Sequence, residues 1–134
     1  MSNKHNLVVI LAKMALADGS VSEEEEFFLQ QQAGEPEIAG LLEEARGAEL
    51  VDLVQGIERY PDKFFVAFRA ASLALIDDNF DVAEQQLFER LAKLLQLEPA
   101  DQSLIQETVD KLRVDPDLEP PQRVQELFAQ SSFA

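Results

Sequence analysis

Asp62-Lys63-Phe64-Phe65-Val66-Ala67-Phe68-Arg69-Ala70-Ala71-Ser72-Leu73-Ala74-Leu75-Ile76 is apolar nearly all the way round a helical wheel. Phe64, Phe65, Phe68, Ala71, Leu75 and Ile76 leave it no broad polar face. A helix of that kind is central, and other elements must cover it. The flanking segments have the stripes that do so. Leu7, Ile10, Leu11 and Met14 recur at i, i+3, i+4 and i+7. Ile38, Leu41, Leu42 and Ala45 form a stripe that ends near Gly47. Leu50, Leu53, Val54 and Ile57 form another, stopped by Pro61. On the other side run Leu87, Phe88, Leu91, Leu94 and Leu95, then, after Pro99, Leu104, Ile105, Val109 and Leu112. Asp115-Pro116-Asp117-Leu118-Glu119-Pro120-Pro121 is a loop, and Val124, Leu127 and Phe128 predict a short last helix. Strand-like alternation is absent. The expectation is one all-α domain over residues 1–134, a compact bundle of about seven or eight helices with a frayed tail from Ser131.

An aspartate-loop-glutamate element flanks this centre on both sides. The first copy is Ala15-Leu16-Ala17-Asp18-Gly19-Ser20-Val21-Ser22-Glu23-Glu24-Glu25. The second is Ala74-Leu75-Ile76-Asp77-Asp78-Asn79-Phe80-Asp81-Val82-Ala83-Glu84. In both, Glu follows Asp by seven positions, and the second copy lies 59 positions after the first. At the same offset Val21 meets Phe80, Ser22 meets Asp81, Phe28 meets Leu87 and Leu29 meets Phe88. Acids repeated at fixed places point to a duplicated unit with pseudo-twofold symmetry, whose loops serve one site.

Composition narrows the function. The chain has 134 residues, 46% of them hydrophobic, enough for a real core. It has no cysteine, which excludes disulfides and thiolate chemistry and fits a reducing, cytoplasmic setting. The net charge of −15, with only 11 scattered Lys and Arg, repels nucleic-acid phosphates and anionic membrane surfaces. Cations and basic protein partners are favoured, although an acidic surface also serves solubility alone. The apolar run Leu7–Ala12 stops at Lys13, far short of the ~20 residues of a spanning helix. The same run is too short for a signal peptide, and its helical period continues into Asp18.

Half of each acidic element has a structural explanation. Ser22 with Glu25, and Asp81 with Glu84, have the spacing of capping boxes. Glu23, Glu24 and Glu26 then suit the positive end of a helix dipole. Asp18 and Asp77 are different: each closes a helix, where the dipole disfavours an acid. If the halves pack symmetrically, Asp18, Glu25, Asp77 and Glu84 converge. Four carboxylates together repel unless protonated or bridged by a cation, and Ca²⁺, Mg²⁺ or Mn²⁺ prefer such oxygen ligands. Residue type disfavours an EF-hand, although Asp77, Asn79 and Asp81 fill positions 1, 3 and 5 of its loop. Its loop glycine would be Val82 and its bidentate glutamate Phe88, with Glu23 and Leu29 at those places in the first copy.

The segment Ala17-Asp18-Gly19-Ser20-Val21-Ser22-Glu23-Glu24-Glu25 resembles the motif of the tellurite-resistance TerB family. Leu91-Ala92-Lys93-Leu94-Leu95-Gln96-Leu97 is similar to that family's continuation after its second motif. The resemblance covers about residues 6–113, and in the second motif Asp78 replaces the glycine. It implies an all-helical fold with an internal duplication. It also implies an association with stress and tellurite resistance, and metal ligands at Asp18, Glu25, Asp77 and Glu84. Related domains stand at the N-terminus of some membrane-anchored DnaJ-like co-chaperones; no J-domain signature is present here. Tellurite itself is an anion and unsuited to this surface.

Other chemistry lacks its residues. His5 is the only histidine and reads as surface decoration, so no serine-hydrolase triad forms. The five glycines make no phosphate loop. Phe27, Phe28, Phe64, Phe65 and Phe68 read as core, and Tyr60 as a loop packing residue. Three functions stay open. The leading one is a non-enzymatic domain binding a divalent cation or a basic partner through the duplicated acidic loops. The second is an adaptor whose acids are only caps, binding a protein through an apolar groove. The third is a metal-dependent hydrolase.

Overall fold

The computed structural model describes residues 3–17, 21, 23–34, 39–74 and 82–133, with backbone only at 3, 4, 32 and 33. Among them are eight helices and no strand. These are α1 (Asn3–Ala15), α2 (Glu23–Ala33), α3 (Ala39–Gly47), α4 (Leu50–Val54), α5 (Tyr60–Ala74), α6 (Val82–Leu94), α7 (Pro99–Val114) and α8 (Gln122–Gln130).

Two helices form the centre. α5 packs against α1, α6, α7 and α8, and α1 against α2, α3, α4, α5 and α6. α5 has the role its composition predicts: Phe64, Val66, Ala67, Ala70, Ala71 and Leu73 are fully enclosed. α1 goes beyond its predicted stripe. Every residue from Leu7 to Ala12 is buried, because five helices surround it and no side faces water. Ile57 and the stripe Leu50, Leu53 and Val54 close the same core from α4 and its following turn.

Helix ends follow local chemistry. Gly34 ends α2 at φ +73°, donating its N–H to the Gln30 carbonyl at 2.9 Å, the left-handed closure that glycine adopts without a Cβ clash. Pro61 departs from expectation. α4 ends at Val54, well before it, and Pro61 is the second residue of α5. A proline has no N–H to donate, and the first turn of a helix needs none, so it starts this helix instead of stopping the previous one. Tyr60 is accordingly helical and not part of a loop. Phe27 is 61% exposed and is not core. Glu25, Phe28 and Leu29 share the inward face at i, i+3 and i+4, which turns Phe27 outward.

The tail is anchored. Asp62 in the first turn of α5 accepts hydrogen bonds from Ser131 Oγ at 2.8 Å and from Ser132 N–H at 2.7 Å. Ser132 Oγ donates to its other oxygen at 3.1 Å. Phe133 stacks near Phe65 with ring centroids 6.0 Å apart. Ser131 starts no frayed end because a buried carboxylate holds it.

Candidate functional site

The glutamates of the two acidic elements lie at matching places. Glu25 lies in α2 and Glu84 in α6, 59 positions apart. They are 3% and 4% exposed. Glu23, Glu24 and Glu26 point to solvent around the first; Val82, Gln85 and Gln86 do so around the second. Neither glutamate is without a partner. α2 lies against α1, and α6 against α5 and α1.

Asp18, Asp77, Ser22 and Asp81 lie outside the described residues. Of the four carboxylates expected to converge, Glu25 and Glu84 alone fall among the described residues. Among the described residues, no group of three or more His, Asp and Glu side chains could hold a metal ion. No helix of the described residues is long and apolar enough to cross a membrane.

A second polar feature was not legible in the sequence. Asp101, in the first turn of α7, has a side chain only 5% exposed. Arg123 grips it in a fork, Nη2 to Oδ2 at 2.8 Å and Nε to Oδ1 at 3.2 Å. Tyr60 donates its phenolic O–H to Oδ2 of the same carboxylate, and accepts the Glu98 N–H at 3.1 Å. Three helix starts, of α5, α7 and α8, are thus joined at one buried acid. The Arg123 hydrogen bond holds the Asp101 carboxyl below its usual range, against the opposing effect of burial. Burial, then the bond to Asp101, pushes the Tyr60 phenol up to about 12.

Tyr60 is the only tyrosine, and there is no tryptophan. Its ionisation can be read without overlap from tyrosinate absorbance. The native chain is expected to titrate near pH 12, and the chain unfolded in guanidinium near ~10. The phenol is protonated in both states below pH ~10, so its contribution to stability is intact there. Above that the unfolded chain ionises first, and stability falls as pH rises towards about 12. A native midpoint near ~10 would show that Tyr60 does not bond Asp101.

A groove of about 410 Å³ opens between α4 and the end of α6. Val51, Val54, Ile57, Leu94 and Leu95 give it an apolar floor, with Glu58 and Lys63 at the side. Gln96, also in its wall, takes φ +58° where α6 ends. His5, read as decoration, bonds Glu44 at 2.8 Å and joins α1 to α3.

Comparison with protein-family models, with curated proteins and with solved structures finds no match to the chain. The TerB resemblance rests on the residues that carry it.

Proposed function

We propose that this chain is a TerB-like, non-enzymatic helical domain that binds a divalent cation between its two acidic elements, through Asp18, Glu25, Asp77 and Glu84. The observation that supports this is the matched burial of Glu25 and Glu84 at equivalent places in α2 and α6. A glutamate serving only the helix dipole has no need to leave water, and its neighbours Glu23, Glu24 and Glu26 do not. The 59-residue offset of the two acidic elements and the central places of both α1 and α5 support an internal duplication. The net charge of −15 favours a cation, or a basic protein segment on the same face. In this reading the domain works in the cytoplasm.

A thermal melt tests it. After EDTA treatment, Ca²⁺, Mg²⁺ or Mn²⁺ is expected to raise the midpoint progressively, by about 2.7 kcal/mol of stability at a hundred times the dissociation constant. Asp18→Asn/Asp77→Asn is expected to abolish the increment. An unchanged midpoint at millimolar ion, or the same rise in the variant, would leave Glu25 and Glu84 as buried caps.

A second reading has its own observation. The groove floored by Val51, Val54, Ile57, Leu94 and Leu95 suits an adaptor that binds an apolar protein segment, with the acids serving as caps.

A further inference from the structure

Arg69 departs from the charge pattern of this protein. It sits in α5, among side chains that are otherwise enclosed. Arg46, Arg113 and Arg123 each lie within salt-bridge distance of a carboxylate, at 3.7, 2.7 and 2.8 Å, and Arg90 of α6 is exposed to water. Arg69 has no carboxylate and no hydrogen-bond acceptor among the described residues, in a chain with 26 acids. Its Nε is buried and donates to nothing. The acid on its own helix, Asp62, is taken by Ser131 and Ser132. Aromatic rings hold it instead. The guanidinium carbon stands 5.1 Å from the Phe65 ring centroid and 6.0 Å from that of Phe128. Both distances are within cation–π range. Burial pulls its pKa below the usual guanidinium range, and it stays charged at neutral pH.

The chemistry of this arrangement is specific. A guanidinium fixed on two rings has its rotamer already chosen, so little freedom is lost when it binds. Its planar fork fits a carboxylate through two parallel hydrogen bonds. The half-buried ring of Phe128 beside it, and that of Phe133 across Phe65, offer apolar surface to whatever carries that carboxylate. We propose that Arg69, backed by Phe65 and Phe128, is a binding site for a carboxylate joined to an apolar group, such as a small aromatic acid or the C-terminus of a peptide. This proposal does not rest on the acidic elements, and neither proposal depends on the other. The long-range repulsion of the net charge selects against free small anions. At ~0.15 M salt, with a Debye length of about 8 Å, that repulsion is screened and the short-range fork decides.

The buried Nε–H of Arg69 provides the probe. In ¹H–¹⁵N spectra of the full chain at ~0.15 M salt, N-acetylphenylalanine is expected to shift this resonance saturably. The expected dissociation constant is on the order of 1–10 mM, the range open to a ligand of this size. N-acetylphenylalaninamide, which lacks the carboxylate, is expected to leave it in place, as is inorganic phosphate, which lacks the apolar group. Benzoate against N-acetylphenylalanine separates a small acid from a peptide terminus, the tighter ligand identifying the source. Ligand line broadening then follows Arg69→Lys, which keeps the charge and loses the fork and is expected to bind at least ~10-fold more weakly. Absence of saturation by either acid at ~50 mM, an equal response to the amide or to phosphate, or wild-type affinity in Arg69→Lys would each overturn the proposal. The wild-type titrations decide it even if the variant does not fold.

Discussion

Replacing Phe64 by alanine is expected to lower the unfolding free energy by about 3–5 kcal/mol. Phe64 is fully enclosed at the centre of α5. Its ring lies 6.2 Å from that of Phe68 and 6.3 Å from that of Phe128, so it touches both its own helix and α8. Alanine removes the transfer energy of the ring and leaves a cavity in a site whose walls come from separate helices. Those walls cannot all move in together, which keeps the loss near the upper end. A domain of this size is stable by only about 5–15 kcal/mol, so the variant sits close to unfolding under mild conditions. Urea unfolding followed by circular dichroism is expected to show a lower midpoint at unchanged slope. The thermal midpoint should fall by roughly 10–20 °C. Phe27→Ala is the control: that ring is 61% exposed, and its loss should change stability by no more than about 0.5 kcal/mol. A loss below ~1 kcal/mol for Phe64→Ala would mean that α8 does not close over α5 as described.

Replacing Asp101 by alanine is expected to cost about 2–3 kcal/mol, because it breaks charge-assisted hydrogen bonds from two helices at once. The Arg123 side chain is 48% exposed and recovers part of its hydration, which sets the upper limit. The Tyr60 hydroxyl keeps the Glu98 N–H and loses its acceptor. Asp101→Asn keeps the shape and removes the charge, and should fall between wild type and Asp101→Ala. The carboxyl pKa is depressed in the folded state, first by the Arg123 hydrogen bond. A depressed acid contributes stability above its unfolded value, near ~4, and loses it as pH falls through the folded value. The wild type should therefore lose stability below pH ~4 more steeply than Asp101→Asn, and the two should converge in acid. Parallel pH profiles would show that Arg123 does not bind Asp101 in solution.

Much of the fold was legible in the order of the residues. The apolar segment from Asp62 to Ile76 announced a central helix, and the stripes ending near Gly47 and before Asp115 announced its neighbours. Periodicity and breakers are local properties of the chain, so they survive without knowledge of the fold. Pro61 misled for a local reason: a proline both ends one helix and begins another, and only the early end of α4 distinguishes the two. The buried acids were legible only in part. Glu25 and Glu84 were marked by their repeated spacing, but the same spacing suits a solvated cap. Asp101 had only an acidic first-turn position as its signal. Its partners lie 22 and 41 residues away, and no motif encodes that separation.

The sequence by itself determined that this protein is helical, strongly acidic, without cysteine, and marked by an acidic element at a 59-residue offset. These follow from residue type and spacing, which act within a few turns of backbone. The tertiary structure alone decided that α1 is as buried as α5, that Ser131 and Ser132 close onto Asp62, and that one acid gathers Tyr60 and Arg123. It also decided that Arg69 meets two rings and no carboxylate among the described residues. Each depends on which helices lie side by side. That arrangement is set by burial of the whole apolar surface at once, a sum over contacts that no single segment carries.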